Sequence, residues 1–182
     1  MPATYVFGTA GLHRLVWPSA RRELLRLAFE TGFRDFDTAP LYGNGLAEAE
    51  IGAALGPVRR QIRLTTKFGI PVSLYGAARP WTFMGERALR MVLDPGYRAR
   101  FDRRDWSVRQ MRSDLEGSLK RMRTDHVERF CLHEPLDVLS DGVWDDLASA
   151  AQDLKRAGKI GQFGISGEQP CMAALAVRPG LD

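Results

Sequence analysis

Asp37, Tyr42, Lys67 and His133 stand at recurring places in this 182-residue chain. Asp37 closes the run Phe33 to Asp37, and Tyr42 follows between Leu41 and Gly43. Lys67 ends Leu64-Thr65-Thr66-Lys67, and His133 ends Phe130-Cys131-Leu132-His133. Reactive polar side chains therefore sit where successive β-like runs stop. In a parallel α/β barrel that rim carries the chemistry. Each residue alone has an ordinary explanation: a turn aspartate, a loop tyrosine, a solvated lysine, a satisfied strand-end histidine. The four together, in order and at strand ends, read as a site. Lys67 as a Schiff-base amine is one reading of it. The accompanying tyrosine and aspartate suit proton donation better.

The elements that must position these residues alternate. Tyr5-Val6-Phe7 reads as a first strand. Ser19 is the expected N-cap of a helix whose apolar face is Leu24, Leu25, Ala28 and Phe29, stopped by Gly32. Residues 33–37 form the second strand, about 47–55 a helix closed by Gly56-Pro57, and 62–67 the third strand. Ser107 and Gln110 match a capping box. Behind them Val108, Met111, Leu115, Leu119 and Met122 share one helical face. Residues 127–132 make strand four. Val143, Trp144, Leu147, Ala151 and Leu154 line a helix ending at Gly158, with Lys155 and Arg156 near its negative end. Residues 160–165 make strand five, and 172–177 begin a further helix.

Strict β-α alternation implies parallel strands joined by right-handed crossovers. The pattern alone admits a doubly wound sheet and a (β/α)8 TIM barrel. Two features favour the barrel. Gly8-Thr9-Ala10-Gly11 is not the G-x-G-x-x-G phosphate loop of the open sheets, and the reactive side chains come from several strand ends.

Composition sets outer bounds. Apolar residues are 45% and charged residues 26%, so a single domain with a sizeable core is expected and disorder is not. The net charge of +4 and pI near 9.4 suit an anionic ligand, but no aromatic-basic stripe marks a nucleic-acid surface. Cys131 and Cys171 fit neither a disulfide framework nor a zinc motif, and His13 and His126 lack partners at metal-ligand spacing, so no metal site is expected. No segment resembles a leader or a membrane span, which makes a cytoplasmic protein without membrane contact the expectation.

The ordered fragments resemble the aldo-keto reductases. They are Phe36-Asp37-Thr38-Ala39-Pro40-Leu41-Tyr42-Gly43 with Gly45 and Glu48, Thr66-Lys67-Phe68-Gly69, Ser118 to Asp125, Leu132-His133-Glu134-Pro135, and Gly158-Lys159-Ile160 before Gly164-Ile165-Ser166. The resemblance runs over most of residues 5–167. It implies a (β/α)8 barrel that binds an extended NADP(H), NAD(H) being the other candidate, and reduces aldehyde, ketone or sugar carbonyls of small molecules. It places the catalytic four at Asp37, Tyr42, Lys67 and His133.

Chemistry supports those types. Hydride delivery builds negative charge on the carbonyl oxygen, so a proton donor must stand close. An ammonium beside a phenol stabilises the phenolate. Lys67 fits that role, with Asp37 holding it, Tyr42 as the acid and His133 orienting the carbonyl. The resemblance also implies Gly8, Thr9, Asp37 and Ser166 as cofactor neighbours. Ser166 stands where a Ser-Asn pair meets the nicotinamide amide, and here Gly167 follows instead.

Two expectations concern size. The segment Ile70 to Trp106 is too long for an ordinary barrel loop and reads as a lid, with a short helix near Glu86 to Leu93. A full barrel needs about 250 residues, so this one is expected to be incomplete, with about five β-α units. Strands one and five would then be unpaired edges open to self-association or a second chain. The competing functional expectation is an inactive, aldo-keto reductase-like binding or regulatory module.

Overall fold

The computed structural model describes residues 5–72 and 103–182. The expected lid and its short helix lie mostly outside them. Among the described residues, five strands alternate with helices: β1 (Val6–Gly8), α1 (Pro18–Glu30), β2 (Asp35–Asp37), α2 (Leu46–Leu55), β3 (Arg63–Phe68), α3 (Val108–Met122), β4 (Val127–His133), α4 (Asp141–Arg156), β5 (Ile160–Ser166) and the short α5 (Met172–Leu175). All pairings are parallel and the strand order is β1-β2-β3-β4-β5. A doubly wound sheet reverses its order at a switch point. Sequential order without reversal is that of a barrel wall.

The two faces of the sheet differ because side chains alternate along a strand. Phe36, Leu64, Phe68, Phe130, Leu132 and Phe163 share one face and are buried with α1 to α4 in a single apolar core. Within it Phe68 stacks on Phe130 at 4.9 Å between ring centroids, and Trp144 of α4 meets Phe163 at 6.3 Å. The opposite face carries Asp35, Asp37, Arg63, Thr65, Lys67, Arg129, Cys131 and His133 in matched register. Asp35 is paired there with both Arg63 and Arg129. The Arg63 contact in particular holds its carboxyl below the usual range.

Several local expectations need correction. The first helix starts at Pro18 with Trp17 as N-cap, so Ser19 lies inside it; proline at the first helical position is the stronger signal. Its buried residues are Arg21, Leu25 and Ala28, whereas Leu24 is exposed. Arg21 is held by Glu50 of α2, which places a charge on the inward stripe. By contrast, Gly56-Pro57 closes α2 as expected: the helix ends at Leu55 with Gly56 as its C-cap, and a 3-10 turn over Gly56–Gln61 follows. The capping box is half formed. Ser107 Oγ accepts the Gln110 amide, but the Gln110 side chain turns to Asp114 and the Ser107 amide to Asp105.

Candidate active site

Each candidate side chain sits at the C-terminal end of its strand or in the loop beyond it. Asp37 ends β2, Lys67 lies one residue from the end of β3, and His133 and Ser166 end β4 and β5 opposite one another. Tyr42 is carried by a tight turn after β2. Gly43, Asn44 and Gly45 all have positive φ, at 64°, 51° and 85°. A side chain at Gly43 would meet Leu46 Cβ at 2.9 Å and His13 Cβ at 3.1 Å. The turn thus needs glycine for its backbone and for its space.

Three of the four candidates converge on one ammonium. Lys67 Nζ donates to Asp37 Oδ1 at 2.8 Å and Oδ2 at 2.7 Å, to the Thr38 carbonyl at 2.9 Å, and to Tyr42 Oη at 3.2 Å. It also lies 4.9 Å from the Tyr42 ring centroid. The Lys67 side chain is 2% exposed and that of Asp37 28%, so solvent reaches the cluster from the carboxylate side. An ammonium has no lone pair, so the phenol accepts from it and keeps its own proton. Among the described residues the Tyr42 hydroxyl donates to no other group.

His133 meets Tyr42 edge to face, ring centroids 5.8 Å apart. Burial first, then the positive charges of Lys67 and Arg104, depress its pKa to about 3. His133 is therefore a neutral imidazole at physiological pH, with one N–H to give. Cys131 lies on the same face one layer below, and burial raises its thiol pKa to about 11. That thiol is inert as a nucleophile at neutral pH.

The residues expected near the cofactor divide. Gly8 is open on its inner face, with nothing within 4 Å of where a side chain would start. Ser166 is partly exposed and its hydroxyl has no partner among the described residues. Thr9 is buried, and its hydroxyl and amide both donate to the Asp37 carbonyl. It ties the end of β1 to that of β2.

Sequence reasoning passed over Asp114 of α3, whose Oδ2 accepts the Gly69 amide at 3.0 Å just beyond Lys67. The available signal was a carboxylate within the apolar stripe between Met111 and Leu115.

The family model described as the aldo/keto reductase family matches residues 5–175. The chain belongs to the aldo/keto reductase family. The oxidoreductase YrpG of Bacillus subtilis is 33% identical over 146 residues, 76% of this chain and 37% of that protein. Oxidoreductase YdhF of Escherichia coli is 30% identical, over 91% of this chain and 50% of that protein. Among solved structures, aldo-keto reductase AKR11C1 from Bacillus halodurans in its holo form superposes with a TM-score of 0.71 at 25% identity. That match covers 94% of this chain and 48% of the other. The chain thus spans half or less of the length of these family members, whose fold is a (β/α)8 barrel. No helix among the described residues is long and apolar enough to cross a membrane.

Proposed function

We propose that this chain carries the proton-donating site of an NAD(P)H-dependent reductase of small aldehydes, ketones or sugars, with Tyr42 as the general acid. One observation carries the reading: Lys67 Nζ donates to Tyr42 Oη at 3.2 Å while both Asp37 oxygens hold the same ammonium. The phenol proton is thereby left to face a substrate oxygen. As it leaves, the adjacent ammonium stabilises the phenolate, and Asp37 fixes the ammonium in place. Neutral His133 gives the carbonyl oxygen a second hydrogen bond and sets its direction. In the oxidation direction Tyr42 takes the proton back.

Gly8, Asp37 and Ser166 are the proposed neighbours of a nicotinamide. The open face of Gly8 admits a flat ring and the Ser166 hydroxyl suits its amide. Thr9 contributes by holding the β1 and β2 ends together. A nicotinamide bound there would supply the hydride. NADP(H) over NAD(H) is carried by the family resemblance.

The test is Tyr42→Phe, assayed with NADPH and a small aldehyde. Turnover should fall by about 10²- to 10⁴-fold, the range of a lost general acid, with an unchanged circular dichroism spectrum. A fully active variant would assign the acid elsewhere. Unchanged NADPH fluorescence at high protein concentration would instead favour a non-catalytic module.

A further inference from the structure

The end of β3 is held from behind. Gly69 follows the strand with φ of 99°, and a side chain there would lie 2.0 Å from the Trp106 ring. Both of its backbone groups are engaged by the chain around the start of α3. Its amide donates to Asp114 Oδ2 at 3.0 Å and its carbonyl accepts the Asp105 amide at 2.9 Å. Trp106 also meets Phe68 edge to face, centroids 5.9 Å apart. Asp114 is 7% exposed, and its other oxygen accepts the Gln110 side-chain amide at 2.8 Å. Burying a carboxylate is costly even when two amides satisfy it. The place of Gly69, two residues beyond Lys67, gives that cost a use.

We propose that Asp114 is a positioning residue for Lys67: acting through the Gly69 amide, it fixes where β3 ends and hence where the ammonium meets Tyr42. The assignment of Lys67 rests on the function proposed above; the clamp itself does not. A misplacement of about 1 Å at a reacting group costs roughly 10²-fold in rate, so anchoring the strand end acts on kcat rather than on substrate binding.

The groups facing Asp114 define its response to pH. They are the Gly69 amide from β3, Gln110 and Arg121 from its own helix, and Glu48 from α2. Burial dominates and raises its pKa from the usual 3.8 to about 6. A raised carboxyl favours the folded state while protonated. Its stabilisation is complete below the unfolded value and is lost as pH rises through about 6. Above that pH the Gly69 bond becomes charge-assisted and stronger. The clamp tightens locally as it costs stability globally.

The experiment compares wild type, Asp114→Ala and Asp114→Asn in the full chain between pH 5 and 8. It follows amide exchange at Gly69, the amide shifts of Lys67 and Phe68, and kcat and KM for a small aldehyde. In Asp114→Ala the Gly69 amide should exchange about tenfold faster and kcat should drop about tenfold, with KM within about twofold. Asparagine presents a carbonyl to the same amide, so Asp114→Asn should restore protection. It should also abolish the wild-type rise in kcat through pH 6. Unchanged Gly69 protection in the alanine variant would overturn the proposal, as would a pH step that survives in the asparagine variant. If Asp114→Ala fails to fold, the asparagine series decides alone. Absence of turnover in the wild type would refute the proposed function. The clamp would then be judged by whether Lys67 shifts follow Asp114 titration, and shifts that ignore it would refute the positioning role.

Discussion

The rim over β2, β3 and β4 and the rim at the end of β5 are built in opposite ways. On the first, the central ammonium is fully engaged: Lys67 donates to Asp37, Thr38 and Tyr42, and the strand beneath it is gripped by Glu48 and Asp114. On the second, the Ser166 hydroxyl has no partner among the described residues, and Gly167 stands next to it with no side chain to offer. Internal satisfaction makes a geometry independent of ligand; unsatisfied groups wait for one. Proton transfer needs the first kind of construction, because a preset field costs no reorganisation as charge develops. Cofactor exchange needs the second, because a bound molecule must also leave.

Lys67→Met tests the preset side most severely. It removes the ammonium from a site where four acceptors converge. Turnover should fall by about 10³-fold. The Asp37 side chain is 28% exposed and can rehydrate, so the fold should survive. NADPH affinity, read by fluorescence titration, should stay within about threefold. Equal losses in affinity and turnover would mean that the two rims are one unit.

Glu48→Ala attacks the support instead of the site. Glu48 is 0% exposed; Oε1 accepts Thr66 Oγ1 and Oε2 accepts Arg121 Nε, both at 2.6 Å. Alanine strands a hydroxyl and a largely buried guanidinium. Removing one partner of a buried ion pair costs about 3–5 kcal/mol, a large part of the stability of an ordinary domain. Urea unfolding measures it. A loss below about 1 kcal/mol would show that water replaces the carboxylate, and that β3 is less firmly held than the contrast requires.

What the sequence made legible follows the range of the interactions. Asp37, Lys67 and His133 could be placed because each closes a run whose hydrophobic period is local, and parallel topology then brings strand ends together. Tyr42 could be placed because Gly43 and Gly45 mark a turn within a few residues of a strand end. Asp114 could not, since its meaning depends on α3 lying against the end of β3, a tertiary relation that helical periodicity does not encode. The exposed Leu24 and buried Arg21 of α1 fail for a similar reason: the Arg21–Glu50 pair with α2 decides which stripe faces inward. Gln110 misled at shorter range. Its spacing from Ser107 suits a reciprocal cap, but the carboxylate of Asp105 takes the Ser107 amide instead, and the Gln110 side chain donates to Asp114 one turn along.

Ser166→Ala carries the smallest effect and addresses the rim at the end of β5. A hydroxyl without a partner among the described residues contributes little to their packing, so stability should change by less than about 0.5 kcal/mol. If that hydroxyl meets the nicotinamide amide, its loss removes one neutral hydrogen bond. Such a bond is worth about 0.5–1.5 kcal/mol, or roughly two- to tenfold in Kd for NADPH. The chemical step should follow only as far as the nicotinamide tilts, so kcat at saturating cofactor should fall by less than Kd rises. The reverse pattern, with Kd unchanged and stability reduced, would place Ser166 among the internally satisfied groups and remove the distinction between the two rims. A variant that supplies the side chain missing beside it, Gly167→Asn, reads the same contact in the opposite direction. A Cβ at Gly167 lies 3.1 Å from the Glu134 Cα and 3.3 Å from Met172 Sδ, so any gain in cofactor affinity must exceed the cost of displacing that backbone.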